Sequence, residues 1–256
     1  MNKYLAATLL MILYYVFYNS LNIITFTLVE FFFGFEYIYI VNSIVYLIVV
    51  IILLAFIKKS WNKIFFLDKS FLNITSLIII LSIFFKLFKD PFLSIYEILG
   101  IDNIPKINKK KIDFLDQSFY VLYFVLLAPI AEEIMFRTII FKKIMSSGKI
   151  IYAILFSSFL FSLIHLDPFN LSYYNILILL RTFIFGVIAA FIFFKTKNLI
   201  YSILFHIFSN LLAYLFNVIF AYEYFKVLEY LSFSYIYWLI IVISLIGTIF
   251  TLKRIS

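Results

Sequence analysis

The 256-residue chain is 66% hydrophobic and only 13% charged, with a mean hydropathy of +1.12, which excludes an ordinary soluble domain and points to a multispanning membrane protein. It has no cysteine, so disulfides and thiolate chemistry are excluded. The net charge of +8 comes mostly from short Lys/Arg clusters between apolar runs, which suits a membrane surface rather than a nucleic acid.

Taken in chain order, about eight apolar runs are long enough to cross roughly 30 Å of hydrocarbon as helices. They are Tyr4 to Phe33, Tyr37 to Ile57, Phe71 to Phe88, Leu115 to Met145, Ile150 to Leu166, Tyr173 to Phe194, Leu199 to Tyr222 and Leu228 to Leu252. The first follows a lone lysine, but it is too long for a signal-peptide core and no A-x-A site closes it, so it reads as a retained span. A backbone in lipid must satisfy its own hydrogen bonds, and runs this uniform do not alternate as barrel strands do. The expected fold is an all-α polytopic bundle, with residues 1–256 as one membrane domain.

Lysine and arginine collect at alternate ends of these spans: Lys3; Lys58, Lys59, Lys63 and Lys69; Lys142, Lys143 and Lys149; Lys195 and Lys197; Lys253 and Arg254. The opposite connections carry Glu30 and Glu36, Asp167, and Glu223 and Glu229 beside Lys226. This pattern predicts cytoplasmic termini. The connection from Pro91 to Asp113 runs against it, with Lys106, Lys109, Lys110 and Lys111 offset by Asp90, Glu97, Asp102 and Asp113.

Ionisable groups at membrane depth cost roughly 2.5 to 3.5 kcal/mol each on insertion scales, which makes each a functional candidate. Here they are Glu132, Glu133 and Arg137 in the fourth span, His165 in the fifth, Arg181 in the sixth and His206 in the seventh, with Asn210 one turn further on. The two histidines are the only ones in the chain. Successive helical residues turn by about 100°. Glu133 and Arg137, four apart, can therefore neutralise each other, while Glu132 points elsewhere, free to face a cavity. His206 and Asn210 share a face and could bond one atom between them. Phe161 stands one turn before His165 as an apolar wall. Arg181 is expected to hold a helix interface or reach the outer boundary.

Depth measured from the basic clusters places Glu132 about 15 Å inside Lys142 and His206 about 14 Å inside Lys197, against roughly 22 to 24 Å for His165 from Lys149. A tilted or partly submerged fifth helix would bring the three together. A free carboxylate, two imidazoles, an amide and a compensated ion pair contain the parts for water activation and oxyanion stabilisation. A proton relay and a purely structural polar core use the same residues.

The segments "APIAEEIMFR", "FSSFLFSLIHL" and "GVIAAFIFFKTKNLIYSILFHIFSNLL" resemble the three motifs of the CAAX-protease and bacteriocin-processing family of intramembrane proteases, also called CPBP or Abi proteins. Those motifs, E-E-x-x-x-R, F-x-x-x-H and H-x-x-x-N, fall here on Glu132, Glu133 and Arg137, on Phe161 and His165, and on His206 and Asn210. Pro129 and the Thr196 to Leu199 stretch also fit the family pattern, whereas Thr138 stands where the family usually has glycine. The resemblance covers residues 115–213, leaving 1–89 as accessory spans and 228–252 as a final span.

By this resemblance, Glu132 and His165 would activate water, His206 and Asn210 would stabilise the oxyanion, and Glu133 and Arg137 would orient the helix. The implied activity is intramembrane endopeptidase cleavage of a peptide or protein substrate, lipidated or not. No cofactor is expected. The alternative is zinc held by Glu132, His165 and His206, with Glu133 as base; against it, the H-E-x-x-H spacing is absent and Asn210 would lose its role. A non-proteolytic adaptor or immunity protein is a second reading. Secondary transport is a third, and it lacks the Gly/Pro-broken helices it would need. Heavy Ile, Lys, Asn, Phe and Tyr usage suits an AT-rich bacterial genome, so the expected location is a bacterial cell membrane.

Overall fold

The computed structural model describes residues 2–33, 38–67, 69–98, 114–146, 149–166, 172–219 and 235–255, and among these residues every regular element is helical. The main ones in chain order are α1 (Lys3–Phe33), α2 (Ile38–Ile57), α3 (Phe71–Ile98), α4 (residues 114–145), α5 (Ile150–Leu163), α6 (Tyr173–Thr196), α7 (Leu199–Tyr214) and α8 (Tyr235–Arg254). The protein is a polytopic helical bundle, as its hydropathy requires.

Six of these helices are long and apolar enough to cross a membrane, while α5 and α7 are shorter apolar helices. α5, with 14 residues, reaches only about 21 Å at 1.5 Å per residue, and the 16-residue α-helical part of α7 runs on into a π-helical Leu215–Ile219. The predicted eight full-length spans are thus six plus two short helices; α7 carries His206, and His165 follows the end of α5. A second difference concerns α3, which continues as helix through Pro91 to Ile98, so the predicted loop beginning at Pro91 starts later. Its remainder, 99–113, lies outside the described residues, as do Glu36, Asp167, Glu223, Lys226 and Glu229.

Large apolar side chains such as Leu13, Leu72, Leu239 and Ile246 are exposed on the outer helix faces. That arrangement would be costly in water and is neutral against lipid tails. Buried side chains concentrate on α4: half of its apolar window is buried within the protein, against 11% for α1 and 22% for α8. α4 packs on α2, α5 and α7, α6 packs on α5 and α7, and α3 is flanked by α7 and α8. The helix with the most charge in its apolar run is therefore the central one, where its charges meet partners instead of lipid.

Two close approaches set this packing. A Cβ on Gly186 of α6 would come within 3.0 Å of the Ser158 Cβ and 3.1 Å of its Cα on α5, so the α5–α6 seam depends on glycine there. On α8, the Phe84 ring of α3 lies against Gly247, 2.7 Å from where a Cβ would stand. Between α6 and α7 the turn is two residues long, Lys197 and Asn198. Lys197 adopts φ 55° as the C-cap, and Asn198 caps α7 by accepting from the Ile200 N–H while donating its amide to the Phe66 carbonyl at 2.6 Å. Thr196 accepts from the Asn198 N–H, which accounts structurally for the Thr196 to Leu199 stretch.

Candidate active site

α4 is not a regular α-helix. Its Leu122–Leu127 and Ile134–Phe141 segments are π-helical, flanking an α-helical Ala128–Glu133 that carries the two glutamates. In the first π segment the Ala128 N–H reaches back to the Tyr123 carbonyl. Continued one residue, that pattern would pair residue 129 with the Phe124 carbonyl, but residue 129 is proline and has no N–H. The Phe124 carbonyl instead accepts from Asn210 Nδ2 at 2.8 Å. Pro129 and Asn210, remote in sequence, thus answer one another: one frees a buried carbonyl and the other satisfies it. One N–H of the Asn210 amide is committed to this bond and the other remains.

Glu133 and Arg137 are paired as their spacing predicts, with Arg137 Nε donating to Glu133 Oε2 at 2.8 Å and Nη2 to Oε1 at 3.4 Å, both side chains fully buried. Glu133 has a further partner that spacing did not reveal, since its Oε1 lies 3.2 Å from His206 Nδ1. Glu132 approaches the other edge of the same ring, with Oε2 3.9 Å from His206 Nε2. The 100° between neighbouring glutamates does not send them to separate sites; it lets them flank one imidazole. The Thr138 hydroxyl donates to the Ile134 carbonyl within the second π segment, so it satisfies its own polarity in a fully packed wall.

His165 was expected inside a helix and lies just beyond one. α5 ends at Leu163, and His165 follows in a turn whose N–H bonds the Ser162 carbonyl at 3.1 Å. Its Nδ1 contacts the Phe161 carbonyl at 2.9 Å. An imidazole that serves one of the last carbonyls of a helix is a C-terminal cap, and the short helix leaves it at the level of the other site residues. Its Nε2 lies 3.9 Å from Glu132 Oε2, so the excess depth expected for His165 is absent.

Hydrogen-bond logic fixes what these groups present. A carbonyl and a carboxylate only accept, so His165 Nδ1 and His206 Nδ1 must each donate. With both rings neutral, their Nε2 lone pairs converge with Glu132 Oε2, a buried oxygen with no hydrogen-bond partner among the described residues. Two imidazole acceptors, each 3.9 Å from the same carboxylate oxygen, call for a species that supplies protons, and a water molecule meets that need.

The remaining wall is aromatic. The Phe161 ring lies 4.8 Å from the His165 ring and 6.0 Å edge-on from His206, and the Arg137 guanidinium stacks over it at 5.3 Å. Phe185 of α6 contacts His206 at 4.6 Å, a neighbour not singled out by any motif. Tyr14 of α1 and Tyr46 of α2 are buried within electrostatic reach of Glu132. Tyr18, also within reach of Glu132, hydrogen-bonds Tyr46, so the accessory helices contribute phenols to the Glu132 side of the site. Arg181 is not part of this constellation; it lies beside Lys89 of α3.

A zinc ion bonded at about 2.0 to 2.2 Å in tetrahedral geometry holds its ligands about 3.4 Å apart. Both Glu132–histidine separations are wider than that, at 3.9 Å. Among the described residues no group of three or more His, Cys, Asp or Glu side chains stands at metal-holding spacing.

Residues 114–212 match the family model described as Type II CAAX prenyl endopeptidase Rce1-like. This core is similar to that family. The match covers less than half of the chain, takes in all three motifs and agrees with the CPBP resemblance. It supports a CAAX-type intramembrane protease in general, with a peptide or protein substrate. No curated protein and no solved structure matches the chain.

Proposed function

We propose that this integral membrane protein is an intramembrane endopeptidase that hydrolyses a peptide bond of a membrane-associated or lipidated peptide with a water activated by Glu132. The observation that carries this reading is Glu132 Oε2, without a hydrogen-bond partner among the described residues and equidistant at 3.9 Å from His165 Nε2 and His206 Nε2. Glu132, helped by His165, removes a proton from the water as its oxygen attacks the carbonyl carbon, and that proton is later delivered to the departing amine. His206, anchored through Nδ1 by Glu133, takes a proton from solvent on Nε2 before the attack, donates that N–H to the oxyanion and returns the proton to solvent once the carbonyl has re-formed. Asn210 contributes its second amide N–H. Glu133 and Arg137 are positioning residues acting through His206. No cofactor enters this scheme, and the Lys-rich helix ends, with both termini, face the cytoplasm.

The test is cleavage of a membrane-embedded peptide library by purified wild type, Glu132→Ala and His165→Ala. Loss of product with both variants supports the reading. Wild-type cleavage by either would refute it. A cellular phenotype fully rescued by Glu132→Ala at normal expression would favour the adaptor instead.

A further inference from the structure

A second polar cluster lies outside the proposed active site, between α3 and α6. Lys86 Nζ donates to Asp90 Oδ2 at 2.7 Å, and Lys89 Nζ lies 3.7 Å from the other oxygen of the same carboxylate. Arg181 of α6 is near enough to act electrostatically on both lysines. Lys89 and Arg181 line one narrow pocket whose other walls include Phe88, Leu177 and Leu180. Among the described residues, three cations and one carboxylate are thus gathered against an apolar slot.

Their level in the bundle is specific. Lys89 stands eighteen residues past Phe71, about 27 Å from the Lys-rich end of α3, and Arg181 fifteen residues before Thr196, about 22 Å from the Lys-rich end of α6. The apolar window of α3 closes at Asp90. In a hydrocarbon layer of about 30 Å these heads reach the glycerol and phosphate level of the leaflet opposite the Lys-rich ends. Leu180 beside the pocket is 45% exposed and Leu87 39%, so the slot adjoins the lipid-facing surface.

We propose that Lys89 and Arg181 form a binding site for the phosphate of an anionic phospholipid, whose acyl chain lies along Leu177 and Leu180. Each element of the site matches a part of that molecule: an arginine fork and an ammonium for the phosphate, and an apolar slot for the chain. Lys86, held by Asp90, sets the position of that carboxylate and so of Lys89. The site also adjoins the proposed chemistry. Phe85 lines the pocket and contacts the Phe185 ring at 5.8 Å, and Phe185 contacts His206 at 4.6 Å. The lipid site stands whether or not the protein is a protease.

The experiment is native mass spectrometry of the full chain released from nanodiscs of phosphatidylcholine with or without phosphatidylglycerol, and of the detergent-purified chain with inorganic phosphate. Wild type is expected to retain phosphatidylglycerol over phosphatidylcholine. The Lys89→Gln/Arg181→Gln protein is expected to lose this retention roughly tenfold or more. The charge-preserving Lys89→Arg/Arg181→Lys protein should keep it, which separates loss of the site from loss of the fold. Equal retention by the Gln pair, or failure of the charge-preserving pair while its thermal unfolding stays wild-type, would overturn the proposal. Inorganic phosphate that displaces the lipid at equal concentration would overturn the lipid as occupant.

Discussion

Glu133 Oε1 stands 3.2 Å from His206 Nδ1 while its second oxygen, Oε2, accepts from Arg137 Nε at 2.8 Å, so one buried carboxylate joins a cation on its own helix to an imidazole on another. This relationship makes the second glutamate of the motif more than a counter-ion. It fixes the ring whose opposite nitrogen faces Glu132.

Glu133→Gln should therefore have two separable effects. The fully buried Arg137 loses its charge partner, a loss of roughly 3 to 5 kcal/mol for a buried pair broken on one side, readable as reduced thermal stability in detergent. Replacing both as Glu133→Gln/Arg137→Met should recover most of the stability and little of the cleavage activity, because His206 still lacks an anionic anchor. Recovery of both would reduce the pair to a purely structural role.

The Pro129–Asn210 relationship predicts a coupling. Asn210→Ala leaves the Phe124 carbonyl without a donor and should cost about 1 to 3 kcal/mol. In a Pro129→Ala background, residue 129 regains an N–H, so the same Asn210→Ala change should cost less by about 1 kcal/mol or more in a double-mutant cycle of unfolding. Additive costs would mean that the carbonyl finds its donor elsewhere.

Much of this site was legible before any coordinates. Four-residue spacing alone pairs Glu133 with Arg137 and leaves Glu132 aside, and two histidines in an apolar chain could scarcely be incidental. What spacing could not show follows from departures from a regular helix. The π-helical turns of α4 break the 100° rotation on which face assignments rest, so neither the freed Phe124 carbonyl nor its bond to Asn210 was visible. His165 was placed too deep because α5 was assumed to include it, although Pro168 three residues on was a stop signal in plain view. The meeting of Arg181 with Lys89 depends on how α3 and α6 pack, which hydropathy does not encode.

The α5–α6 seam offers a test by size. Gly186→Ala brings a methyl to 3.0 Å from the Ser158 Cβ and should push apart the helices that carry His165 and Phe185, lowering stability by about 1 to 3 kcal/mol, as overpacking does. Ser158→Gly/Gly186→Ala removes the opposing Cβ but leaves the backbone Cα at 3.1 Å, so it should regain part of the stability in thermal unfolding. No loss from the single change would show that the seam yields freely.

Metal removal discriminates the two chemistries that this set of residues could serve. Activity is expected to survive exhaustive dialysis against a chelator, with no stimulation by zinc afterwards. Loss restored by zinc would assign Glu132, His165 and His206 to a metal after all.

The central claim, that Glu132 is the base, is tested most directly by single-turnover cleavage with Glu132→Gln, a change that keeps the shape and removes the charge. The account predicts unchanged substrate binding and a cleavage rate lower by about 10³ or more, within the range of general-base contributions. A rate within tenfold of wild type at equal binding would contradict it.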